Sequence, residues 1–355
     1  MKNEIGQRIA ERIDALEPRV PRKVFAQRVE MPPDALSRAL SGQRGISSLE
    51  LVRIAEALDA DIHELVTGTP DPRRVVLAAR HDFDRASGLR SVPSMKDDRE
   101  TIESIRVAYE QASLPARDTV NAPADPGKMR ELLGDGFSRP FIDRIESKLG
   151  VDVIRVAELG TAYTGTIGGR SVIMIPAKGN WFRENWDLAH ELAHLAGLEQ
   201  EDEANLFAAE LLLPAALLES VTWANVSAQT VAEVLWETGV STEALRNRLD
   251  ALHLSNVALR DSLNVPTQAV LRKARSWSHS FGDAITERMD SAGRRRFPIE
   301  LQEAHEAKIE AGTLGVAFLA WMRGVSEAWI ADAYEPHQQS VSADELADAF
   351  GVKLV

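Results

Sequence analysis

Short apolar stripes at helical spacing open the chain. Ile5, Ile9, Ile13 and Leu16 recur every three or four residues, followed by Val24, Phe25 and Val29, by Leu36, Ala39 and Leu40, and by Leu49, Val52, Ile54, Ala55 and Leu58. This pattern predicts four or five short helices over residues 1–69. The run Thr67-Gly-Thr-Pro-Asp-Pro72 then breaks it, because glycine and two prolines cannot continue a helix and the residue before each proline is pushed extended. Helical periodicity returns over residues 73–112. Residues 114–127, with Pro115, Pro123 and Pro126, have no period and predict a loop.

Further on the pattern changes character. Phe141, Ile142, Ile145 and Leu149 form a helical stripe closed by Gly150, and residues 151–156 predict a strand. Residues 164–167 and 170–175 flank Gly168-Gly169, the pair that a tight primed turn requires, and predict a hairpin. The second of these strands, from Val172 to Ile175, fits an exposed edge able to accept an extended peptide and fits a buried core strand equally well. Beyond Pro214 the chain is helical to its end, with breaks near Gly239, Ser255, Asn264 to Pro266, Pro298, Gly312 and Pro336. The expected fold is multidomain and mainly α. It comprises an all-α domain at 1–69, a helical connector at 70–130, an α+β domain with a small sheet at 131–225, a helical pair at 226–260 and a helical C-terminal region at 261–355.

Composition narrows the chemistry. The 355 residues include no cysteine, which excludes disulfide scaffolds, thiolate metal sites and a cysteine nucleophile. Any metal must be held by histidine and carboxylate. A net charge of -13 argues against nonspecific coating of nucleic acid or anionic membrane, although it averages over domains. The N-terminus lacks the apolar core of a signal peptide and no stretch reaches the roughly 18 apolar residues of a membrane span, so a soluble cytoplasmic protein without membrane partners is expected.

Residues 187–197, Asp-Leu-Ala-His-Glu-Leu-Ala-His-Leu-Ala-Gly, carry His-Glu-x-x-His on strong helix formers. Histidines four apart lie one turn above each other, so His190 and His194 project toward one point, as a tetrahedral zinc ion requires. Glu191 is rotated by about 100°, within reach of a water on the open side of the metal, where it can act as general base. With eight histidines, about 0.03 such motifs are expected by chance. A third ligand is sought in the acidic turn and helix that follow. Ala204, Phe207, Ala208 and Leu211 form the apolar stripe of that helix, and Glu203, directly beside the stripe, is the first choice, with Glu210 and Glu201 as alternatives.

His190-Glu-Leu-Ala-His194 followed by Glu203-Ala-Asn-x-Phe-Ala-Ala-x-Leu-Leu-x-Pro214 resembles the signature of the ImmA/IrrE metallopeptidases, over about residues 135–225. The resemblance implies a zincin-like domain, a Zn²⁺ held by His190, His194 and Glu203, and Glu191 as the catalytic base. It also implies an endopeptidase whose substrate is a helix-turn-helix repressor, acting in phage, mobile-element or stress-response switches. Tyr163 and His253 are candidates for an additional donor to the oxyanion. A second helix-turn-helix-like stretch, residues 231–249, reads either as a substrate-holding element of this family or as a plain helical hairpin. The triplet Arg294-Arg295-Arg296 reads as a solvated loop.

Residues 21–42 show two short helices split by a turn, the layout that places a recognition helix in the major groove. Residues 18–45 carry a net charge of +4 and residues 46–66 a net charge of -4, so the basic side coincides with that layout. Residues 5–66 resemble an XRE-type helix-turn-helix domain, with two departures: Glu30 replaces the turn glycine, and Pro32-Pro33 replaces the polar start of the second helix. The resemblance implies a double-stranded DNA operator as partner, and a homodimer is a further possibility. Ser37, Arg38 and Arg44 are the expected base or phosphate contacts, and Arg22, Lys23 and Gln43 the expected phosphate contacts. Two further readings stand beside the peptidase. One is a non-proteolytic repressor or antitoxin-like regulator with a metal-binding sensory domain. In the other, the fused module is itself the substrate and the chain cleaves itself.

Overall fold

The computed structural model describes residues 4–334 apart from residues 17, 59, 61, 69–75, 80–81, 85–88, 92–94, 275–277 and 280–281. Of the linker expected from Thr67 to Pro72, residues 69–72 lie outside these residues, as does the helical end expected beyond Tyr334. Two compact units emerge, residues 1–74 and 75–355.

The first unit consists of five helices: α1 (Glu4–Asp14), α2 (Arg22–Arg28), α3 (Pro33–Leu40), α4 (Ser48–Leu58) and α5 (Ile62–Thr67). Ile9, Ile13, Phe25, Leu36, Ile54 and Leu65 meet in its core, as the 3.6-residue period requires. Leu49 and Val52, counted in the fourth stripe, are instead exposed, because the core takes Ile54, Ala55 and Leu58. Gly6 lets α1 touch α3 closely, since a Cβ there would lie 2.5 Å from the Leu40 carbonyl oxygen. In the turn between α2 and α3, Glu30 takes a left-handed φ of 54°, which explains why glycine is the easier residue at this position. Glu30 also pairs with Arg53 at 2.9 Å.

The second unit is built on a four-stranded sheet. After three short strands, β1 (Val76–Ala79), β2 (Asp82–Asp84) and β3 (Leu89–Ser91), come the helices α6 (Met95–Ala112), α7 (Pro126–Leu133) and α8 (Phe141–Leu149). The helical reading of residues 73–112 therefore holds only from Met95 onward. The sheet continues with β4 (Asp152–Val156), β5 (Tyr163–Ile167) and β6 (Arg170–Pro176), in the order β1-β5-β6-β4. Gly168 and Gly169 make the β5–β6 turn at φ 59° and 77°, the values a primed turn needs. β6 pairs with β5 on one side and with β4, in parallel, on the other. It is a central strand, so the reading of Val172 to Ile175 as a free edge does not hold, and the reading as a buried core strand does.

Alternation along β6 assigns the two faces of the sheet. Ile173 and Ile175 join Val153 in a core with α8, α9 (Trp181–Leu195) and α10 (Glu201–Leu212). The chain then passes through α11 (Ala215–Glu219) to α12 (Ala228–Thr238) and α13 (Thr242–Ala251), which pack on the same core. Beyond them lie α14 (Val257–Ser262), α15 (Thr267–Lys273), the short strands β7 (Ser278–His279) and β8 (Gly282–Asp283), and α16 (Ala284–Gly293). Val172 and Met174 face the opposite way, into a second core with Ile105 and Tyr109 of α6. The C-terminal helices α17 (Ile299–Glu310), α18 (Ala317–Arg323) and α19 (Glu327–Tyr334) complete that core through Leu301, Leu319, Met322 and Ile330, together with Phe297.

Two of the three arginines are part of this architecture and not a solvated loop, while the Arg294 side chain is exposed as expected. Arg296 exchanges backbone hydrogen bonds with Arg155 of β4 at 2.9 and 2.8 Å, and its guanidinium binds Glu146 at 2.6 Å and the Val153 carbonyl at 3.1 Å. Arg295 stacks over Trp321 and pairs with Glu158. Among the described residues, no helix is long and apolar enough to cross a membrane.

Candidate metal centre

The helix that carries the His-Glu-x-x-His motif starts at a cap and stops at a glycine. The Asn180 side chain accepts from the Arg183 backbone N–H at 3.3 Å, and Gly197 turns the chain at φ 84°. Its face toward the sheet is apolar, with Leu188, Ala189, Leu192 and Ala193 buried. His190 and Glu191 are fully buried, and Thr164 of β5 donates to the Glu191 backbone carbonyl at 3.3 Å, fastening the helix to the sheet.

After Gly197 the chain reverses, and α10 returns along α9 with Ala204, Phe207, Ala208 and Leu211 buried, the stripe read from the sequence. That packing decides which carboxylate meets the histidines. The Glu201 carboxylate lies 3.4 Å from His190 Nε2 and 3.6 Å from His194 Nε2, and the two Nε2 atoms are 3.1 Å apart. One ligand atom from each of the three residues falls within 4.8 Å of the others.

Glu203, the residue favoured from the sequence, is exposed and does not belong to this cluster. Two helical positions correspond to a rotation of about 200°, so Glu201 and Glu203 cannot share a face. Glu210, the other alternative, pairs with Arg248 of α13. Asn205, one turn after Glu201, is the residue that sequence reasoning missed. Its Oδ1 accepts from His190 Nδ1 at 3.2 Å, while the Leu198 carbonyl accepts from His194 Nδ1 at 2.8 Å. Its signal was a polar side chain one turn after a glutamate, between the buried Ala204 and Phe207 of the apolar stripe.

These outer contacts bear on what the cluster can hold. With each Nδ1–H donated outward, both Nε2 atoms carry lone pairs, and they converge with a carboxylate. Three electron-pair donors at this spacing repel one another unless a cation lies among them, and two imidazoles with one carboxylate are a donor set suited to zinc that leaves a position open. The residues therefore fit a divalent metal. Residues 146–250 match the family model of the IrrE N-terminal-like domain. The matched span is less than a third of the chain. It runs from α8 through the sheet hairpin, α9 and α10 to α13, and so contains the whole cluster. The IrrE N-terminal-like domain is a peptidase family, which agrees with a metallopeptidase-type arrangement here. No curated protein and no solved structure matches the chain.

Other side chains proposed from the sequence fall elsewhere. Tyr163 sits on the face of the sheet opposite α9 and donates to Asp98 at 2.6 Å; burial, then Asp98, raises its hydroxyl pKa. It is a packing residue of the second core. His253 is exposed in a left-handed turn, φ 58°. The helical pair α12–α13 packs within the domain, and Ala244, Asn247 and Arg248 of α13 line a groove of ≈ 500 Å³ with Trp186 of α9 and Leu206 and Ala209 of α10. Trp186 precedes His190 by one turn.

In the first unit, Lys23, Ser37, Arg38 and Gln43 are exposed. Arg22 is exposed and pairs with Asp14 at 2.9 Å. Arg44 differs, because its guanidinium is turned inward to the Ala35 carbonyl at 2.9 Å and to Glu50 at 2.7 Å. It braces α3 against α4.

Proposed function

We propose that the chain is a zinc-dependent endopeptidase joined to a DNA-binding module, and that it cleaves a helix-turn-helix repressor to switch transcription. The observation that carries the catalytic part is the convergence of His190 and His194 of α9 with Glu201 of α10, beside the buried Glu191. His190, His194 and Glu201 would hold the metal. When bound, zinc supplies Lewis acidity to a scissile carbonyl and to a water molecule. Glu191 takes the proton of the attacking water and returns it to the leaving amine, general acid–base work that its carboxylate can perform only if it is ionised at the start. Asn205 and the Leu198 carbonyl hold the two imidazoles in the required tautomer. The groove beside Trp186 and Leu206 offers apolar surface for substrate side chains.

The DNA-binding part rests on α2 and α3, the basic charge of residues 18–45, and the exposure of Ser37, Arg38 and Gln43. Glu191→Gln should retain stoichiometric zinc and lose cleavage of a co-expressed helix-turn-helix repressor. Zinc-free protein as purified, together with unchanged repressor levels in the Glu191→Gln strain, would select the non-proteolytic regulator instead. Self-cleavage would appear as a fall in intact mass after zinc addition.

A further inference from the structure

A cavity of ≈ 180 Å³ lies at the start of α9, and none of its lining residues belongs to the histidine cluster. Trp181 and Glu184 of α9, Arg288 of α16, and Arg139, Arg155 and Arg296 contribute to its wall. Three of these four guanidinium groups have carboxylate partners: Arg139 binds Glu237 at 2.5 Å, Arg155 binds Glu184 at 2.7 Å, and Arg296 binds Glu146 at 2.6 Å. The two acids on the wall are engaged in the same way, Glu184 with Arg155 and Asp143 with Arg296.

Arg288 is the exception. Its guanidinium carbon lies 4.7 Å from the Trp181 ring and 4.8 Å from the Trp236 ring, and its Nη1 is buried without a hydrogen-bond acceptor among the described residues. Trp181 is 3% exposed, and its indole Nε1 is likewise buried without an acceptor. Ring faces stabilise the positive charge but do not satisfy its N–H donors, so a largely desolvated guanidinium with an unsatisfied Nη1 remains. Burial, reinforced by the like charge of Arg139 and opposed by the carboxylates of Glu184 and Glu237, lowers the Arg288 pKa to about 10.

We infer that this cavity binds a compact oxyanion, a phosphate or carboxylate group, that accepts hydrogen bonds from Arg288 and the Trp181 indole. The size suits one such group, and the ligand satisfies the buried N–H donors that the protein leaves without an acceptor. Trp181 belongs to the helix that carries His190, whereas Arg288 lies beyond residue 250, outside the IrrE N-terminal-like domain. The anion would therefore bridge the catalytic helix and the C-terminal region. The inference does not depend on the peptidase reading.

The test is isothermal titration of the full-length protein with sodium phosphate and, separately, sodium acetate at constant ionic strength. Saturable single-site binding of one of them is expected, weakened at least tenfold by Arg288→Met, which keeps an unbranched stem between the rings. Trp181→Phe, which keeps a ring but lacks the N–H, is expected to weaken binding several-fold. Tighter phosphate binding identifies a phosphate ligand and tighter acetate binding a carboxylate. The bound anion should also raise the Tm of the unsubstituted protein and leave that of Arg288→Met unchanged. Failure of both anions to bind, or equal affinity in Arg288→Met, would overturn the inference. Should Arg288→Met not fold, unchanged affinity in Trp181→Phe would overturn it.

Discussion

Glu201 and Glu203 differ by two positions and about 200° of helix, and that angle separates a carboxylate that meets the two histidines from a solvated one. Glu201→Gln is expected to weaken zinc binding at least tenfold in competition with a chromogenic chelator, with Glu203→Gln matching the unsubstituted protein; the reverse ranking would restore the assignment made from sequence. Glu50 offers a second residue-level consequence. Hydrogen bonds from Arg44 and then from the Ser47 backbone N–H lower its pKa from 4.5 to about 2. A depressed folded-state pKa contributes stability that is fully present above pH 4.5 and lost as pH falls toward 2. After discounting for solvent screening, Glu50→Gln should cost about 1 kcal/mol at pH 7. That difference should shrink between pH 4.5 and 2 in denaturant titrations of the first unit's transition.

At the scale of elements, the sheet is fastened to its covering helices by one buried ionic cluster. Arg170 at the start of β6 binds Asp152 of β4 through two hydrogen bonds of 2.7 and 3.0 Å, and both residues are 1–2% exposed. Tyr109 of α6 donates to the same carboxylate at 2.9 Å, and burial, then the Asp152 charge, raises the tyrosine pKa well above its ordinary value. Removing one partner strands the other charge, so Asp152→Ala should destabilise the second unit by about 3–5 kcal/mol in denaturant titration. A cost below about 1 kcal/mol would show that the cluster is solvated. Turn chemistry made the β5–β6 hairpin legible in advance, because Gly168 and Gly169 reach without steric cost the positive φ values that a primed turn needs. The short strand β1 was not legible: nothing local to Val76–Ala79 reveals that β5 lies beside it, and its pairing partners are almost 90 residues away.

For the whole molecule, the consequential finding is that the sheet is covered on both faces. Phe297, Leu301, Leu319 and Met322 seal the face opposite α9, so the region known from sequence only as helical completes the core of the unit that holds the histidine cluster. A chain ended after residue 254 should expose Ile154, Val156, Val172 and Met174 and be recovered aggregated, whereas a cooperative, soluble product would refute this. The sequence by itself determined what local geometry determines: the helices of the first unit, the hairpin, and the placing of His190, Glu191 and His194 on one helix. Their spacing of four and the absence of cysteine confine any metal to imidazole and carboxylate ligands. Only the tertiary structure decided which carboxylate completes the cluster, which face Tyr163 takes, that β6 is central, and that Arg296 pairs with β4. Each of these depends on how one element docks against another that is distant in sequence. A periodic stripe shows which face of a helix is buried, but not which neighbouring side chain will stand opposite.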